Sequence, residues 1–230
     1  MGVTIVAASG DNGINTSNTS GGDSCPANPY VAQFPASSSY VLAVGATQGA
    51  ESWAATGGSQ QNGPSETVCQ SDLGGTITSG GGFSGYYTAA TAPWQANAVS
   101  TYFTNAAQAG KTPLSGYKVG YRGYPDVSLN GVNYQYYIGG AAYKASGTSA
   151  STPGDPLTPS RALTRYIPSL IYYPLAPFST PISVVAGFIT LMNSARVANG
   201  LPLLGFVNPL LYSVNYASNF SDITSGIFSL

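Results

Sequence analysis

The chain has 230 residues, which suits one large domain or two small ones and is enough for a substantial buried core. Seven basic and eight acidic residues leave a net charge of -1, histidine is absent, and 43% of the residues are apolar. These values exclude Ser-His-Asp and Cys-His catalysis and most catalytic zinc sites, and they argue against a nucleic-acid partner and a charge-driven disordered chain.

Buried strands and amphipathic helices are predicted to alternate along the chain. Apolar runs and alternating patterns predict strands over 3–8, 40–44, 121–129 and 134–140. Apolar residues at three- and four-residue spacing predict helices over 93–106, 184–199 and 208–212. This order favours an α/β layer architecture with a mainly parallel sheet. Because the first strand begins almost at residue 1, we expect the chain to be cut from a longer one.

Loops and cysteines point to a turn-rich, secreted protein. Polar loops are predicted over 12–28 and 54–65, and glycines at 80–82 predict the close approach of another backbone. Cys25 and Cys69, 44 positions apart, would form a disulfide in a secreted chain, with two buried thiols as the alternative. Sequons for N-glycosylation stand at Asn15, Asn18 and Asn219. Neither a signal peptide nor a membrane span is predicted.

The segment with the most specific pattern is residues 146–153, which reads SGTSASTP. Gly147 would let a substrate backbone approach, and Ser149 would stand at the start of a helix, where free N–H groups stabilise a developing oxyanion. In this segment the chain resembles the subtilisin-like serine peptidases, whose nucleophile lies in a G-T-S-x-x-x-P turn. A polar turn that caps a helix is the alternative interpretation.

Further segments extend the resemblance to one branch, the sedolisins or serine-carboxyl peptidases. In family order they are VTIVAASGDNG (3–13), FPASSSYVLAVGAT (34–47), ITSGGGFSGYY (77–87), YPDVSLNG (124–131), SGTSASTP (146–153), VVAGFITLMN (184–193), LGFVNPLLY (204–212) and FSDITSG (220–226). The resemblance implies a subtilisin-like α/β fold, a mainly parallel sheet flanked by helices and incomplete at both ends. Residues 1–230 would then be a partial peptidase catalytic domain, with 80–82 along the substrate cleft.

The family uses carboxyl groups where subtilisin uses histidine, which agrees with the absence of histidine here. Sedolisins have a glutamate as general base, oriented by an aspartate, and a second aspartate at the oxyanion hole. By motif, Ser149 matches the nucleophile and Asp11 the oxyanion aspartate, with a turn-capping aspartate as the alternative for Asp11. A carboxylate with an unperturbed pKa of about 4 is suited to act as a base in acid, where a protonated carboxyl can also donate to an oxyanion.

The other acidic residues are assigned lesser roles. Asp126 matches a family motif and is interpreted as structural, while Glu51 and Glu66 are interpreted as ordinary surface residues. The base glutamate and its aspartate are expected upstream of the SGDNG motif, so we expect this polypeptide alone to lack peptidase activity. Asp222 and Ile223 match the start of the family's calcium site, where a carboxylate and a backbone carbonyl bind Ca²⁺. Two ligands are too few, so we expect that site to be incomplete.

Residues 154–183 interrupt the pattern, because the family continues directly from the nucleophile turn into the following helix. These 30 residues hold six of the 16 prolines, so no helix can run through them. We interpret the segment as a retained intron translated in frame, with a genuine surface insertion as the alternative. Persistence of the corresponding 90 bases in mature message would exclude the intron.

The resemblance thus implies an acid-acting serine peptidase that hydrolyses peptide bonds through an acyl-enzyme on Ser149, with either tripeptidyl or endopeptidase action. It would be a secreted, vacuolar or lysosomal glycoprotein and a monomer, with polypeptide substrates and neither a nucleic-acid nor a membrane partner. One alternative is a non-catalytic secreted protein that retains the fold and binds peptides along the glycine segment 80–82. The other is a structural, glycosylated surface protein. A Glu-x-x-x-Asp pair upstream would favour the enzyme.

Overall fold

The computed structural model of the protein describes residues 2–14, 30–49, 66–111, 116–151, 184–213 and 219–225. The strands are β1 (Val6–Ala8), β2 (Leu42–Gln48), β3 (Thr67–Val68), β4 (Gly82–Thr88), β5 (Tyr121–Tyr124), β6 (Val127–Asn130), β7 (Tyr134–Ile138) and β8 (Ala141–Ala145). The helices are α1 (Ala96–Gln108), α2 (Thr148–Ser151), α3 (Val184–Ala198) and α4 (Asn208–Leu211), with 3₁₀ turns at Ser71–Leu73, Ala89–Thr91 and Pro93–Gln95. Within the described ranges, no helix combines the length and the apolar character needed to cross a membrane.

Strand β2 is the centre of the main sheet. Val44 pairs in parallel with Ala8 of β1 and with Val127 of β6, so these two strands lie on opposite edges of β2. The short β3 pairs antiparallel with the end of β2, where Thr47 faces Val68. The carboxyl ends of the three parallel strands therefore meet at one edge, which is where open α/β sheets place their ligand sites.

Alternate residues of β2 face two different parts of the core. Leu42 packs with Ile189 of α3 and Val207, which precedes α4. Ala43, on the other face, packs with Tyr124 at the end of β5. Because successive strand residues point to opposite faces, this strand is buried on both sides, as its continuous apolar sequence predicts.

A second layer is formed by β4 and β5, which pair antiparallel, with α1 packed on them. The rings of Phe83 in β4 and Phe103 in α1 stack with their centroids 5.4 Å apart. Tyr117 lies 5.4 Å from the same Phe103 ring, again nearly parallel. This aromatic contact joins the helix predicted from Pro93 onward to the strand that follows the glycines.

Several predicted elements differ from the structure in extent. Strand β1 has three residues, and Val3 and Ile5 are 65% and 57% exposed, so the predicted buried strand over 3–8 is too long. Strand β2 continues to Gln48 because Ala46 and Thr47 pair with β6 and Gln48 pairs with Thr67 of β3. Strand β4 was not predicted, since a glycine-rich start lacks the side-chain alternation that marks a strand.

Some predictions lie outside the described residues and stay predictions. They concern Cys25, the predicted disulfide partner of Cys69, and Glu51. They also concern the sequons at Asn15 and Asn18, the polar loops over 15–28 and 54–65, and the insertion over 154–183. Cys69 itself is buried, and its Sγ lies 3.4 Å from the carbonyl oxygen of Ile77.

Candidate active site

The turn after β1 is held against the glycine segment by backbone hydrogen bonds. The Gly80 N–H donates to the Gly10 carbonyl at 2.6 Å, and the Thr78 N–H donates to the Asp11 carbonyl at 3.1 Å. A Cβ on residue 80 would lie 2.1 Å from the carbonyl oxygen of Ser9, so only glycine fits there. The predicted close approach of a backbone at this glycine is therefore confirmed, and the contact fixes the position of Asp11.

The turn that carries Ser149 lies at the same edge of the sheet. The Gly147 N–H donates to the carbonyl of Gly131, the residue after β6, at 2.8 Å. Thr148 is buried, with 1% of its surface exposed, whereas Ser149 is exposed. The serine hydroxyl is thus open to solvent while the threonine before it is built into the interior.

Asp11 is joined to this turn through one oxygen of its carboxylate. Its Oδ1 accepts hydrogen bonds from the Thr148 N–H at 2.7 Å and from the Thr148 hydroxyl at 2.8 Å. The Gly10 N–H donates to the same hydroxyl at 3.1 Å. The two motifs, 137 positions apart in the chain, therefore form one hydrogen-bonded unit.

The second carboxylate oxygen of Asp11 and the hydroxyl of Ser149 border one small space. A Cβ added to Gly147 would lie 3.0 Å from Ser149 Oγ and 3.1 Å from Asp11 Oδ2. Glycine at this position leaves the space between the two oxygens open. The structure thus brings together both residues that the sequence assigns to catalysis, a hydroxyl and a carboxyl that face a common gap.

Asp126 belongs to a separate, buried network. Its Oδ2 lies 2.5 Å from Arg122 Nη2, with neither side chain exposed, and also accepts from the Ala43 N–H at 2.7 Å. Its Oδ1 accepts from Gln95 Nε2 at 3.0 Å and from the Tyr212 hydroxyl at 2.9 Å. These bonds join β2, the 3₁₀ turn before α1 and the end of α4, which agrees with the structural interpretation of Asp126.

Burial in this network also affects the phenol of Tyr212. Removal from water, and next the negative charge of Asp126, raise the pKa of Tyr212 well above its usual range. The neutral phenol therefore remains a hydrogen-bond donor to the carboxylate over the whole physiological range of pH.

A polar cavity of about 200 Å³ lies close to the serine turn. It is lined by Gln48, Gly49, Leu73, Gly74, Gly75, Thr76, Val132 and Asn133. The Asn133 N–H donates to Ser146 Oγ at 3.2 Å, so one wall of the cavity is bonded to the segment that carries Ser149.

The architecture matches that of a solved peptidase. The chain aligns with Pseudomonas sedolisin, a serine-carboxyl proteinase solved in complex with two molecules of pseudo-iodotyrostatin, with a TM-score of 0.51 and 22% identity. The alignment covers 95% of this chain and 44% of that one. This likeness confirms the predicted subtilisin-like α/β fold.

Curated proteins that are similar in sequence to almost the whole chain identify its family. Tripeptidyl-peptidase sed4 of Aspergillus fumigatus is 30% identical over 230 residues, and physarolisin of Physarum polycephalum is 32% identical over 245 residues, each over 98% of this chain. Tripeptidyl-peptidase 1 of Bos taurus is 30% identical over 226 residues, again over 98% of the chain. The chain belongs to the sedolisin family. No family model matches it.

The match covers a limited part of each relative. The chain spans 30% of the Aspergillus fumigatus and Bos taurus proteins and 35% of physarolisin. It thus corresponds to about a third of the length of these sedolisin relatives, and it contains the SGDNG and SGTSASTP motifs.

Glu66 differs from its prediction as an ordinary surface residue. It is half-buried, and its Oε1 accepts a hydrogen bond from the hydroxyl of Thr47, which is buried at the end of β2. The hydrogen bond between Thr47 and Glu66 is a structural contact at the edge of the sheet. The sequence alone does not reveal it, because Glu66 is a lone glutamate in a loop-like segment.

The predicted calcium ligands offer few oxygen atoms. Asp222 is exposed and Ile223 half-buried, and among the described residues no group of three acidic, cysteine or histidine side chains could hold a metal ion. Since Ca²⁺ takes six to eight oxygen ligands, one carboxylate and one carbonyl do not fit it by themselves. The assignment of a calcium site to Asp222 and Ile223 stays a prediction.

Two important residues were missed in the sequence, Thr148 and Arg122. Thr148 lies inside the SGTSASTP motif, but its bond to Asp11 depends on a contact between distant segments. Arg122 stands four positions before Asp126 in an otherwise apolar, tyrosine-rich strand. The chain has only seven basic residues, so an arginine within such a strand could have been used to predict a buried ion pair, because a buried arginine is almost always paired.

Proposed function

We propose that this sedolisin-family chain carries the nucleophile and the oxyanion-binding carboxyl of an acid-acting peptidase. The observation that carries the proposal is the placement of Ser149 Oγ and Asp11 Oδ2 around the gap at Gly147, 3.0 and 3.1 Å from the position of an added Cβ. A peptide carbonyl attacked by the serine in this gap has its oxygen next to the carboxyl of Asp11.

The reaction follows from these positions. Ser149 Oγ bonds to the carbonyl carbon while its proton passes to a general base, which the family resemblance assigns to a glutamate. The carbonyl oxygen becomes an oxyanion, and the protonated carboxyl of Asp11 donates a hydrogen bond to it. The C–N bond then breaks as the amine takes up the proton, and water hydrolyses the serine ester to release the acid and restore the hydroxyl.

The carboxyl at the oxyanion site ties the activity to acid conditions. A carboxyl group donates a hydrogen bond only in its protonated form. One oxyanion donor contributes about 10²–10³-fold to kcat in serine peptidases, so the proposed activity depends on the protonated form of this carboxyl.

Substrates and location follow the same family assignment. Polypeptides are the substrates, and relatives named tripeptidyl-peptidases support release of tripeptides, while the solved sedolisin, a serine-carboxyl proteinase, supports internal cleavage. We place the protein outside the cell or in a vacuole or lysosome, as a monomer. The exposed sequon at Asn219 supports glycosylation.

The test uses the product of the complete gene, assayed at about pH 3–5, where carboxyl groups titrate. Internally quenched peptides report internal cleavage, and peptides with a fluorogenic group after the third residue report tripeptide release. Ser149→Ala should abolish turnover, and Ser194→Ala, at an exposed serine on α3, should leave it unchanged. Cleavage that survives in Ser149→Ala would overturn the proposal.

A further inference from the structure

We infer that Thr148 is a positioning residue that confines the donated proton of Asp11 to Oδ2, the oxygen beside Ser149. The inference rests on the proposed function, because it assigns Thr148 a part in preparing the oxyanion donor. Thr148 does not border the gap itself, and it acts on the reaction only through Asp11.

The first step of the argument is that Oδ1 is occupied. This oxygen accepts both the N–H and the hydroxyl of Thr148, at 2.7 and 2.8 Å. A carboxyl oxygen has two lone-pair sites, and two donors bind Oδ1 here. A proton on Oδ1 would displace one of these bonds within a partly buried contact, so the protonated carboxyl carries its hydrogen on Oδ2.

The second step is that the direction of the Thr148 hydroxyl is fixed. The Gly10 N–H can only donate, and it lies 3.1 Å from Thr148 Oγ1. The hydroxyl must therefore accept from Gly10, and its own hydrogen goes to Asp11 Oδ1. The two hydrogen bonds therefore have one direction: Gly10 donates to Thr148, and Thr148 donates to Asp11.

The third step is the position of the remaining oxygen. Asp11 Oδ2 and Ser149 Oγ lie 3.1 and 3.0 Å from the Cβ position at residue 147. With Oδ1 held by two bonds from one residue, the carboxyl cannot exchange its oxygens by rotation without breaking both. The hydrogen on Oδ2 is thus held facing the gap before a substrate arrives, which is the condition for an effective oxyanion donor.

The kinetic test compares two substitutions at one position in the complete gene product. Thr148→Val keeps the shape but lacks the hydroxyl, and Thr148→Ser keeps the hydroxyl. We expect Thr148→Val to lower kcat about 10–100-fold with KM within about twofold, because the lost interaction acts in the transition state. Affinity for a peptide aldehyde, which adds to the serine and forms the oxyanion, should fall in parallel.

Rescue distinguishes positioning from general support of the fold. Thr148→Ser should recover kcat to within about threefold of the wild type, since it restores the donor to Oδ1. Equal kcat in Thr148→Val and the wild type, or equal losses in the valine and serine variants, would overturn the inference. Absence of Ser149-dependent turnover in the wild type would instead overturn the proposed function.

A structural measurement decides the position of the proton independently of turnover and of whether the valine variant folds. In an atomic-resolution crystal structure of the wild type at acid pH, the Cγ–Oδ2 bond of Asp11 should be longer than its Cγ–Oδ1 bond. The same asymmetry is expected in Thr148→Ser. Equal bonds, or a longer Cγ–Oδ1 bond, would show that Thr148 does not place the proton.

Discussion

Arg122 Nη2 lies 2.5 Å from Asp126 Oδ2, and both side chains are completely buried. The Arg122 guanidinium also donates from Nε to the Ser38 carbonyl at 2.9 Å and from Nη2 to the Val41 carbonyl at 3.2 Å. The arginine therefore links the ion pair to the segment that leads into β2.

We expect Arg122→Met to be strongly destabilising. It leaves the carboxylate of Asp126 buried without its cation, which costs about 3–5 kcal/mol of unfolding free energy. Urea unfolding measures the loss. Arg196→Met is the control, because its Nε–H bond to the Pro202 carbonyl is on the surface and is worth about 1 kcal/mol or less. Equal midpoints for Arg122→Met and the wild type would contradict the prediction.

The raised pKa of Tyr212 predicts that the folded state loses stability in alkali. Burial and the charge of Asp126 raise the pKa of Tyr212, so the folded state holds the phenol proton more tightly than the unfolded chain does. Its stabilising effect is complete below the unfolded pKa of about 10 and is lost as the pH rises above that value.

Tyr212→Phe should therefore flatten the alkaline fall in melting temperature. At neutral pH it should cost about 1.5 kcal/mol, the value of a hydrogen bond to a charged group. Tyr86→Phe, at a tyrosine that is 89% exposed, should change neither property. The same alkaline slope in Tyr212→Phe and the wild type would show that another group controls it.

Alanine should destabilise the fold far more at Gly80 than at Gly85, five positions later. In Gly80→Ala the new methyl would lie 2.1 Å from the Ser9 carbonyl, whereas in Gly85→Ala nothing lies within 4 Å of it. We expect Gly80→Ala to cost about 2 kcal/mol or more through the displaced backbone and Gly85→Ala less than about 1 kcal/mol. Thermal unfolding of both variants checks the difference, and similar melting temperatures would refute it.

Gly147→Ala should block the site, and because the φ of +158° at this residue is one that L side chains rarely adopt, it also strains the turn. Its methyl would fill the gap between Ser149 Oγ and Asp11 Oδ2, at 3.0 and 3.1 Å. In the complete gene product we expect at least about a hundredfold loss of kcat, since both reacting positions are obstructed. Gly187→Ala, with no atom within 4 Å of the added methyl, should keep full activity. Turnover of Gly147→Ala near the wild-type rate would exclude this gap as the reaction site.

The sequence predicted the positions of the main helices and of the central strand because their apolar patterns are strong. The two candidate catalytic residues could be found from the motifs that contain them. The partner of Asp11 could not, because Thr148 is 137 positions away and its bond exists only in the folded chain. Strand β4 was missed for a local reason, since its pairing is made by backbone groups that leave little trace in a glycine-rich sequence.

Asp11 is held from two sides, by the Thr78 N–H on its carbonyl and by Thr148 on its carboxylate. These contacts come from segments that are far apart along the chain. A designer who moved only the SGTSASTP turn into another scaffold would therefore transfer a serine without its facing carboxyl. The smallest transplantable unit consists of three separate pieces, 9–13, 78–80 and 146–149, and their relative placement must be copied with them.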